Sequence, residues 1–452
     1  MSSLSSTRPR REGRRVAVAT MIGTTIEWYD FFIYANTAAL VFAQLFFEPL
    51  GGQAALLVSF ATVGISFLFR PLGAIVAGHL GDRIGRRAML VATLVLMGAA
   101  TTLIGVLPTY EQAGILAPIL LVLLRILQGF SAGGEWGGAA LMAVEHAPEG
   151  KRGLYGSAPQ LGVPLGMLLA SGVLALVTAT FGVEGFLEIG WRIPFLIGVV
   201  LLVVGFIIRR SVEESPVFLE LRESKARSRM PLVELMKKHW LLVILAALTF
   251  AGNNAAGYMS TGGYVLSYAT TVHSMDRTAV LLCVSAASAV WAGTTLLGGW
   301  LSDLWKSRRN VYLVGYALQI VWAFPLFLLV DTQLVVMVLI SLSAWMLSTG
   351  LTYGPQAAYF AEIFPSRVRY SGVSLSYALG AILGGAFAPT IATWLQQTTG
   401  WIGSVSLYLM GMALISIVAL LIIRDRWGRP LIEAEGDGAE AEHVSQFVGG
   451  RA

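Results

Sequence analysis

Five charged side chains sit inside long apolar runs of this chain: Glu27, Asp30, Arg70, Arg125 and Glu135. A charge at the centre of a bilayer costs at least about 2.5–3.5 kcal/mol, so each is a candidate for function by default. Glu27 and Asp30 are three residues apart and share a helix face, where two carboxylates do not both ionise cheaply. Three acids against two arginines leave one negative charge over. That surplus suits a carboxylate that takes up and releases a proton, with Glu27 and Glu135 the leading candidates and Asp30 the third. Arg70 and Arg125 stay charged and suit an anionic group of a bound molecule. Gln128 and Tyr34 join them as candidate substrate contacts. The competing reading is that the arginines only neutralise acids and hold helices together.

Long helices must carry these groups. The chain has 452 residues, of which 56% are hydrophobic and 13% charged, with a mean hydropathy of +0.71. A soluble chain carries about 25% charged residues. The apolar residues come in runs of roughly 20 or more, enough to cross about 30 Å of hydrocarbon. Twelve spans are expected, at about 16–46, 54–79, 88–107, 114–142, 154–180, 191–209, 240–270, 278–300, 310–330, 333–360, 371–395 and 401–423. The fold class is therefore an all-α polytopic membrane protein with two six-helix bundles. A tail (1–15) precedes a first bundle (16–210), a central loop (211–239), a second bundle (240–424) and an acidic tail (425–452). At about 1.5 Å per residue, Glu27 and Arg70 each lie roughly 15 Å from the inner surface. Glu135 lies at a similar depth, and Arg125 about three turns nearer the outside.

Of the 31 Lys and Arg residues, all but Arg70, Arg125, Arg192 and Arg277 fall in the tails and even-numbered loops. The positive-inside rule then places both termini in the cytosol. The same pattern gives the net charge of +5 a topological meaning, with no nucleic-acid partner implied. One cysteine, Cys283, excludes an internal disulfide, and the five scattered histidines show no metal-ligand spacing. No phosphate-binding G-x-x-x-x-G-K-[ST] loop occurs, so the chain carries no ATP-hydrolysing loop of its own and no cofactor is expected.

The chain repeats itself. Gly78-His79-Leu80-Gly81-Asp82-Arg83-Ile84-Gly85-Arg86-Arg87 stands between spans 2 and 3. Gly298-Gly299-Trp300-Leu301-Ser302-Asp303-Leu304-Trp305-Lys306-Ser307-Arg308-Arg309 stands between spans 8 and 9. Ser307 takes the place of Gly85, so a less tight turn is expected there. After span 4 comes Glu145 to Gly153 and after span 10 Glu362 to Gly372, each with an acid, a Pro, basic residues and a Gly. Such a repeat suits two parallel halves related by an axis along the membrane normal. Asp82, Arg83, Arg86, Arg87, Glu145, Arg152, Asp303, Arg308, Glu362 and Arg367 are expected to form latches at the inner face. The basic residues also satisfy the positive-inside rule without any such role. Gly133-Gly134 and Gly137-Gly138 form overlapping G-x-x-x-G pairs, read as close helix packing around Glu135.

With these residues in view, the chain resembles the metabolite:proton symporters of the major facilitator superfamily, which include shikimate, 2-oxoglutarate and proline/betaine transporters. The likeness rests on Glu27-Trp28-Tyr29-Asp30-Phe31-Phe32, Phe69-Arg70-Pro71-Leu72-Gly73, the Gly78 loop, Arg125 to Trp136, and Trp191-Arg192-Ile193-Pro194-Phe195. It implies a proton-coupled importer of a small polar metabolite working by alternating access; the two arginines against one surplus acid favour a carboxylate-bearing one, and a monomer in a bacterial inner membrane is expected. In the second half Asn253, Asn254, Tyr258, Tyr353, Gln356 and Tyr377 are the candidate cavity residues. An efflux antiporter is the rival, because Gly162-Val163-Pro164-Leu165-Gly166 loosely resembles the Gly-Pro motif of drug/proton antiporters. A membrane-embedded enzyme would need a nucleophile–base set or clustered metal ligands, and the spans offer neither.

Overall fold

The computed structural model describes residues 7–210, 212–223, 230–261 and 264–432. Twelve helices cross the molecule: α1 (Thr7–Thr37), α2 (Gly52–Ile84), α3 (Arg86–Gly105), α4 (Leu116–Glu145), α5 (Arg152–Gly182), α6 (Arg192–Arg210), α7 (Trp240–Thr261), α8 (Arg277–Leu304), α9 (Arg308–Val330), α10 (Val335–Ile363), α11 (Ser366–Thr399) and α12 (Gly403–Ile422). Eleven helices in the described chain are apolar and long enough to span a bilayer on composition alone. The twelfth span is α1, whose arginines, Glu27 and Asp30 lower its mean hydropathy. It begins at Thr7, inside the stretch expected as a tail. The expected central loop is partly ordered as two short helices, Pro216–Glu223 and Pro231–Lys238.

The packing repeats with a shift of six helices. In the first bundle α1 lies against α5 and α6, α2 against α4, and α3 against α4 and α6. In the second, α7 lies against α11 and α12, α8 against α10, and α9 against α10 and α12. The bundles meet along two equivalent seams, α2 with α11 and α5 with α8. Below, the basic face is the end at which α1 begins and α12 ends.

The two repeated turns solve one problem differently. Gly85 ends α2 at φ +119°, a conformation that a Cβ disfavours, and an added Cβ would lie 2.2 Å from Glu214 Oε2. In the second repeat, Lys306 takes the left-handed position at φ +52°. Ser307 is extended there and accepts the Asn310 amide as the cap of α9. The change at Ser307 therefore moves the turn back by one residue and adds a helix cap.

The α4 glycines divide their work. A Cβ on Gly133 would come within 2.0 Å of the Arg70 carbonyl oxygen in its own bundle. One on Gly137 would come within 2.0 Å of Ser374 Oγ in the other. Close packing thus operates both within the bundle and across the α4–α11 contact.

Candidate functional site

Arg125 lies on α4, 1% exposed. Its guanidinium stacks 3.8 Å over the Tyr34 ring. Nη1 donates to Gln128 Oε1 at 2.9 Å and Nε to the Thr62 carbonyl at 3.4 Å, whereas Nη2 has no hydrogen-bond partner among the described residues. Tyr34 and Thr62 share a hydroxyl hydrogen bond of 2.7 Å. Arg70, on α2, stands over Phe67 at 4.4 Å and near Trp28 and Phe31, and its Nε is likewise unpartnered.

Both α1 carboxylates are buried and each keeps one oxygen, Glu27 Oε2 and Asp30 Oδ1, with no hydrogen-bond partner among the described residues. Glu27 lies in the field of Arg70 and Arg209. Asp30 instead turns into the first bundle, where Thr101 of α3 donates to its Oδ2 at 2.9 Å.

Glu135 has a different environment. Arg209, on α6, forms a two-pronged ion pair with it, Thr93 donates to its Oε2 at 2.8 Å, and Arg209 also reaches the Leu90 carbonyl. The charge count expected from the sequence changes accordingly, because Arg209, which counts with the basic residues at the inner end of span 6, is buried. Three buried acids face three buried arginines, and the formal charges balance. Gly205 and Gly198, four and eleven residues before Arg209, are the sequence signal that it faces the packed side of α6.

Breaking a buried pair from one side typically costs about 3–5 kcal/mol, because the other charge is left alone. Glu135→Gln is therefore expected to lower the unfolding temperature in detergent markedly. An unchanged melting curve with accumulation abolished would instead mark Glu135 as a proton carrier.

A small cavity lies between the bundles. Asn253, Asn254, Tyr258, Tyr353 and Tyr377 line it, all expected from the sequence, together with Trp28, Val163, Gly257 and Trp291, which were not. The amides of Asn253 and Asn254 are already committed. Asn253 donates to the Thr349 carbonyl at 3.0 Å and to Thr352, and Asn254 donates to the Ala381 carbonyl at 3.0 Å. Gln356 lies deeper, toward the basic face, where Gln160 of α5 approaches it at 3.4 Å. Trp136 donates to the same Gln160 at 2.6 Å and stacks on Tyr377 with centroids 3.8 Å apart. Phe250 stacks on the Tyr377 ring at 4.7 Å and faces Tyr353 at 6.4 Å. These rings form a floor under the cavity, contributed by both bundles.

Below the floor, two matching clusters join the bundles at the basic face. Asp82 accepts the backbone amides of Tyr370 and Ser371, at 3.2 and 3.0 Å, and the Ser371 hydroxyl at 2.8 Å. Asp303 accepts those of Gly153 and Leu154, at 2.9 and 2.8 Å. Each Asp thus caps the first turn of a helix in the opposite bundle, where the helix dipole favours a negative charge. Around Asp303, Arg308 pairs with it at 2.5 Å and with Glu362 at 3.0 Å, and Arg152 reaches Glu362 from the other bundle at 3.5 Å. Around Asp82 the pairs are looser: Arg86 lies 3.7 Å from Asp82 and 3.5 Å from Glu145, and Arg369 reaches Glu145 at 3.6 Å. The counterpart of Arg152 is therefore Arg369, because the 3₁₀ turn Ser366–Val368 leaves Arg367 exposed. Arg83 is exposed at the end of α2, and Arg87 binds the Arg210 carbonyl at 2.5 Å within its own bundle.

The residues after α12 cross this region. Arg152 donates to the Arg429 carbonyl at 2.6 Å, Arg369 to the Leu431 carbonyl at 2.8 Å, and Asp425 accepts from Ser307 at 2.6 Å.

The comparisons with known proteins agree with this architecture. A model of the Major Facilitator Superfamily matches residues 20–389. The chain is similar to the inner membrane metabolite transport protein YhjE of Escherichia coli (strain K12), 39% identical over 92% of this chain and 95% of that one. It is also similar to the shikimate transporter of the same organism, 37% identical over 94% of this chain and 99% of that one. Among solved structures, the proton:xylose symporter XylE bound to 6-bromo-6-deoxy-D-glucose superposes with a TM-score of 0.78. The alignment covers 93% of this chain and 98% of that one, and at 18% identity the likeness is one of fold.

Proposed function

The chain belongs to the major facilitator superfamily, and from that premise we propose that it imports a small carboxylate-bearing metabolite together with a proton. Its relatives and fold are those of membrane transporters, not enzymes. The observation that carries the reading is the set of unpartnered buried polar atoms: Arg125 Nη2 and Arg70 Nε as donors, Glu27 Oε2 and Asp30 Oδ1 as acceptors. Buried polar atoms are nearly always satisfied, so spare donors on two buried arginines and spare acceptors on two buried acids of one bundle suit groups that arrive in the cycle. Charge balance supports symport. With Glu135 and Arg209 paired, Glu27 and Asp30 balance Arg70 and Arg125. A proton and a monoanion entering together preserve that balance, whereas either one alone would leave a net charge in low dielectric.

In this reading Arg125 and Arg70 hold the substrate carboxylate, Gln128 and Tyr34 position Arg125, and the cavity residues of the second bundle hold the remainder. Glu27 and Asp30 are the proton carriers; Glu135 is a structural ion pair. The basic face is cytoplasmic, with both termini inside, in the inner membrane of a bacterium. The clusters around Asp82 and Asp303 act as latches that close in the conformation described and open for release. The protein works as a monomer without a cofactor. Shikimate, a dicarboxylate or 2-oxo acid, and the zwitterions proline and betaine all carry the required carboxylate.

Uptake of labelled shikimate, 2-oxoglutarate, proline and betaine into proteoliposomes tests the reading. One of them is expected to accumulate under an inward proton gradient and to leak out when a protonophore is added. Failure of all four at any gradient, with substrate extrusion in everted vesicles, would replace import by efflux.

A further inference from the structure

Asp30 and Arg125 are linked without touching. Arg125 Nη1 donates to Gln128 Oε1 at 2.9 Å, Gln128 Nε2 donates to Thr101 Oγ1 at 2.8 Å, and the Thr101 hydroxyl donates to Asp30 Oδ2 at 2.9 Å. All four side chains are buried. The direction of the chain is fixed at both ends. A guanidinium only donates, so Gln128 must turn its oxygen to Arg125 and its amide nitrogen to Thr101; Thr101, accepting there, spends its own proton on Asp30. The neighbouring Thr102 returns its hydroxyl to the Gly98 carbonyl of its own helix, the usual habit of a helical threonine. Thr101 instead spans to α1.

We propose that Thr101 is a positioning residue that couples the proton on Asp30 to the hold of Arg125 on the substrate. The proposal rests on the proton-symport reading given above. Ionised Asp30 makes a charge-assisted bond with Thr101, roughly twice as strong as a neutral one. That bond orders Thr101, then Gln128, and so keeps Arg125 drawn into the first bundle. A proton arriving from water binds Oδ1, the oxygen without a partner, and leaves the Thr101 bond at Oδ2 in place but weakened. The chain slackens, and Arg125 is free to turn Nη2 toward a carboxylate. Protonation therefore tightens substrate binding, and by linkage the substrate tightens proton binding.

The charged groups acting on Asp30 are Glu27 on its own helix and Arg125 on α4. From α3 it meets the neutral Thr101, and from α6 the small Gly198. The relay is thus the polar connection between its carboxylate and the substrate arginine.

The test compares wild type with Thr101→Val, which keeps the shape and removes the hydroxyl, and Thr101→Ser, which keeps the hydroxyl. Three quantities are read in proteoliposomes: gradient-driven accumulation, substrate counterflow, and the apparent KM against external pH. In wild type and Thr101→Ser the KM should fall as pH is lowered. In Thr101→Val that slope should flatten, and accumulation relative to counterflow should drop by at least about tenfold, a common size for coupling between two sites. Gln128→Met breaks the next link and must show the same split, which keeps the test open if Thr101→Val does not fold. A pH slope and an accumulation ratio unchanged in Thr101→Val or Gln128→Met would overturn the relay while leaving symport standing. A wild type with no proton-driven accumulation would overturn the symport reading and the relay with it.

Discussion

Arg125→Lys should lose roughly 10- to 150-fold of the initial uptake rate at low substrate, and Arg125→Ala more still. The arginine does four things at once: it stacks over Tyr34, binds Gln128, binds the Thr62 carbonyl and holds one donor in reserve. A planar fork can do this, whereas a lysine ammonium is a point charge on a flexible stem. Losing one hydrogen bond to a charged group costs about 1.5–3 kcal/mol, and each 1.4 kcal/mol is a factor of about ten. In Arg125→Ala, Glu27 and Asp30 also lose one of their two balancing cations, a loss of the kind that costs about 3–5 kcal/mol in a buried pair. Uptake and counterflow should fall together, since both need substrate bound. Uptake by Arg125→Lys within twofold of wild type would remove Arg125 from the binding site.

The second large effect is conformational. Asp82→Ala or Asp303→Ala strips the acceptor from two backbone amides of the opposite bundle. Buried donors left unsatisfied cost about 1–3 kcal/mol each, and only in the closed form, since water reaches them when the face opens. One such amide alone is worth about 5- to 150-fold, so either substitution should shift the population toward the open form by at least about 5-fold. A single Val163→Cys reporter in the cavity, on a Cys283→Ser background, would read the shift as faster labelling by an impermeant maleimide in everted vesicles. Equal labelling rates in the latch variants and their parent would exclude a latch.

Much of this was legible in the chain. Hydropathy and the basic loops place the twelve spans, and the repeat around Asp82 and Asp303 marks both clusters in the sequence itself. The Asp residues could be picked out because each stands alone between long apolar runs. The cross-seam partner of Glu145 could not, since Arg367 and Arg369 are two residues apart and only the 3₁₀ turn at the start of α11 decides which one points inward. Arg209 was hidden for a related reason: a basic residue at the end of a span satisfies the positive-inside rule whether or not it is buried. The five cavity residues of the second bundle stand out as polar groups in apolar helices. Trp28, Trp291 and the Trp136–Tyr377 stack do not, because tryptophans are equally at home in packing and at membrane interfaces. The Thr101 relay joins residues 71 and 27 positions apart, and no periodicity within one helix records such a link.

Both aspartates at the basic face bind main chain at the start of a helix, and this shapes how the protein can change over generations. Every residue except proline carries a backbone N–H. A substitution at Leu154 therefore leaves the amide in place, and at Ser371 only the hydroxyl is lost; Gly153 is held by close packing instead, since a Cβ there would lie 2.3 Å from the Gly299 carbonyl oxygen. These two backbone contacts do not require paired mutations on the two sides, as the ion pairs of Arg152 with Glu362 and of Arg369 with Glu145 do. The lock is fixed by two aspartates and by helix geometry, so side chains beside it can drift wherever the close glycine contacts and ion pairs of the seam are kept.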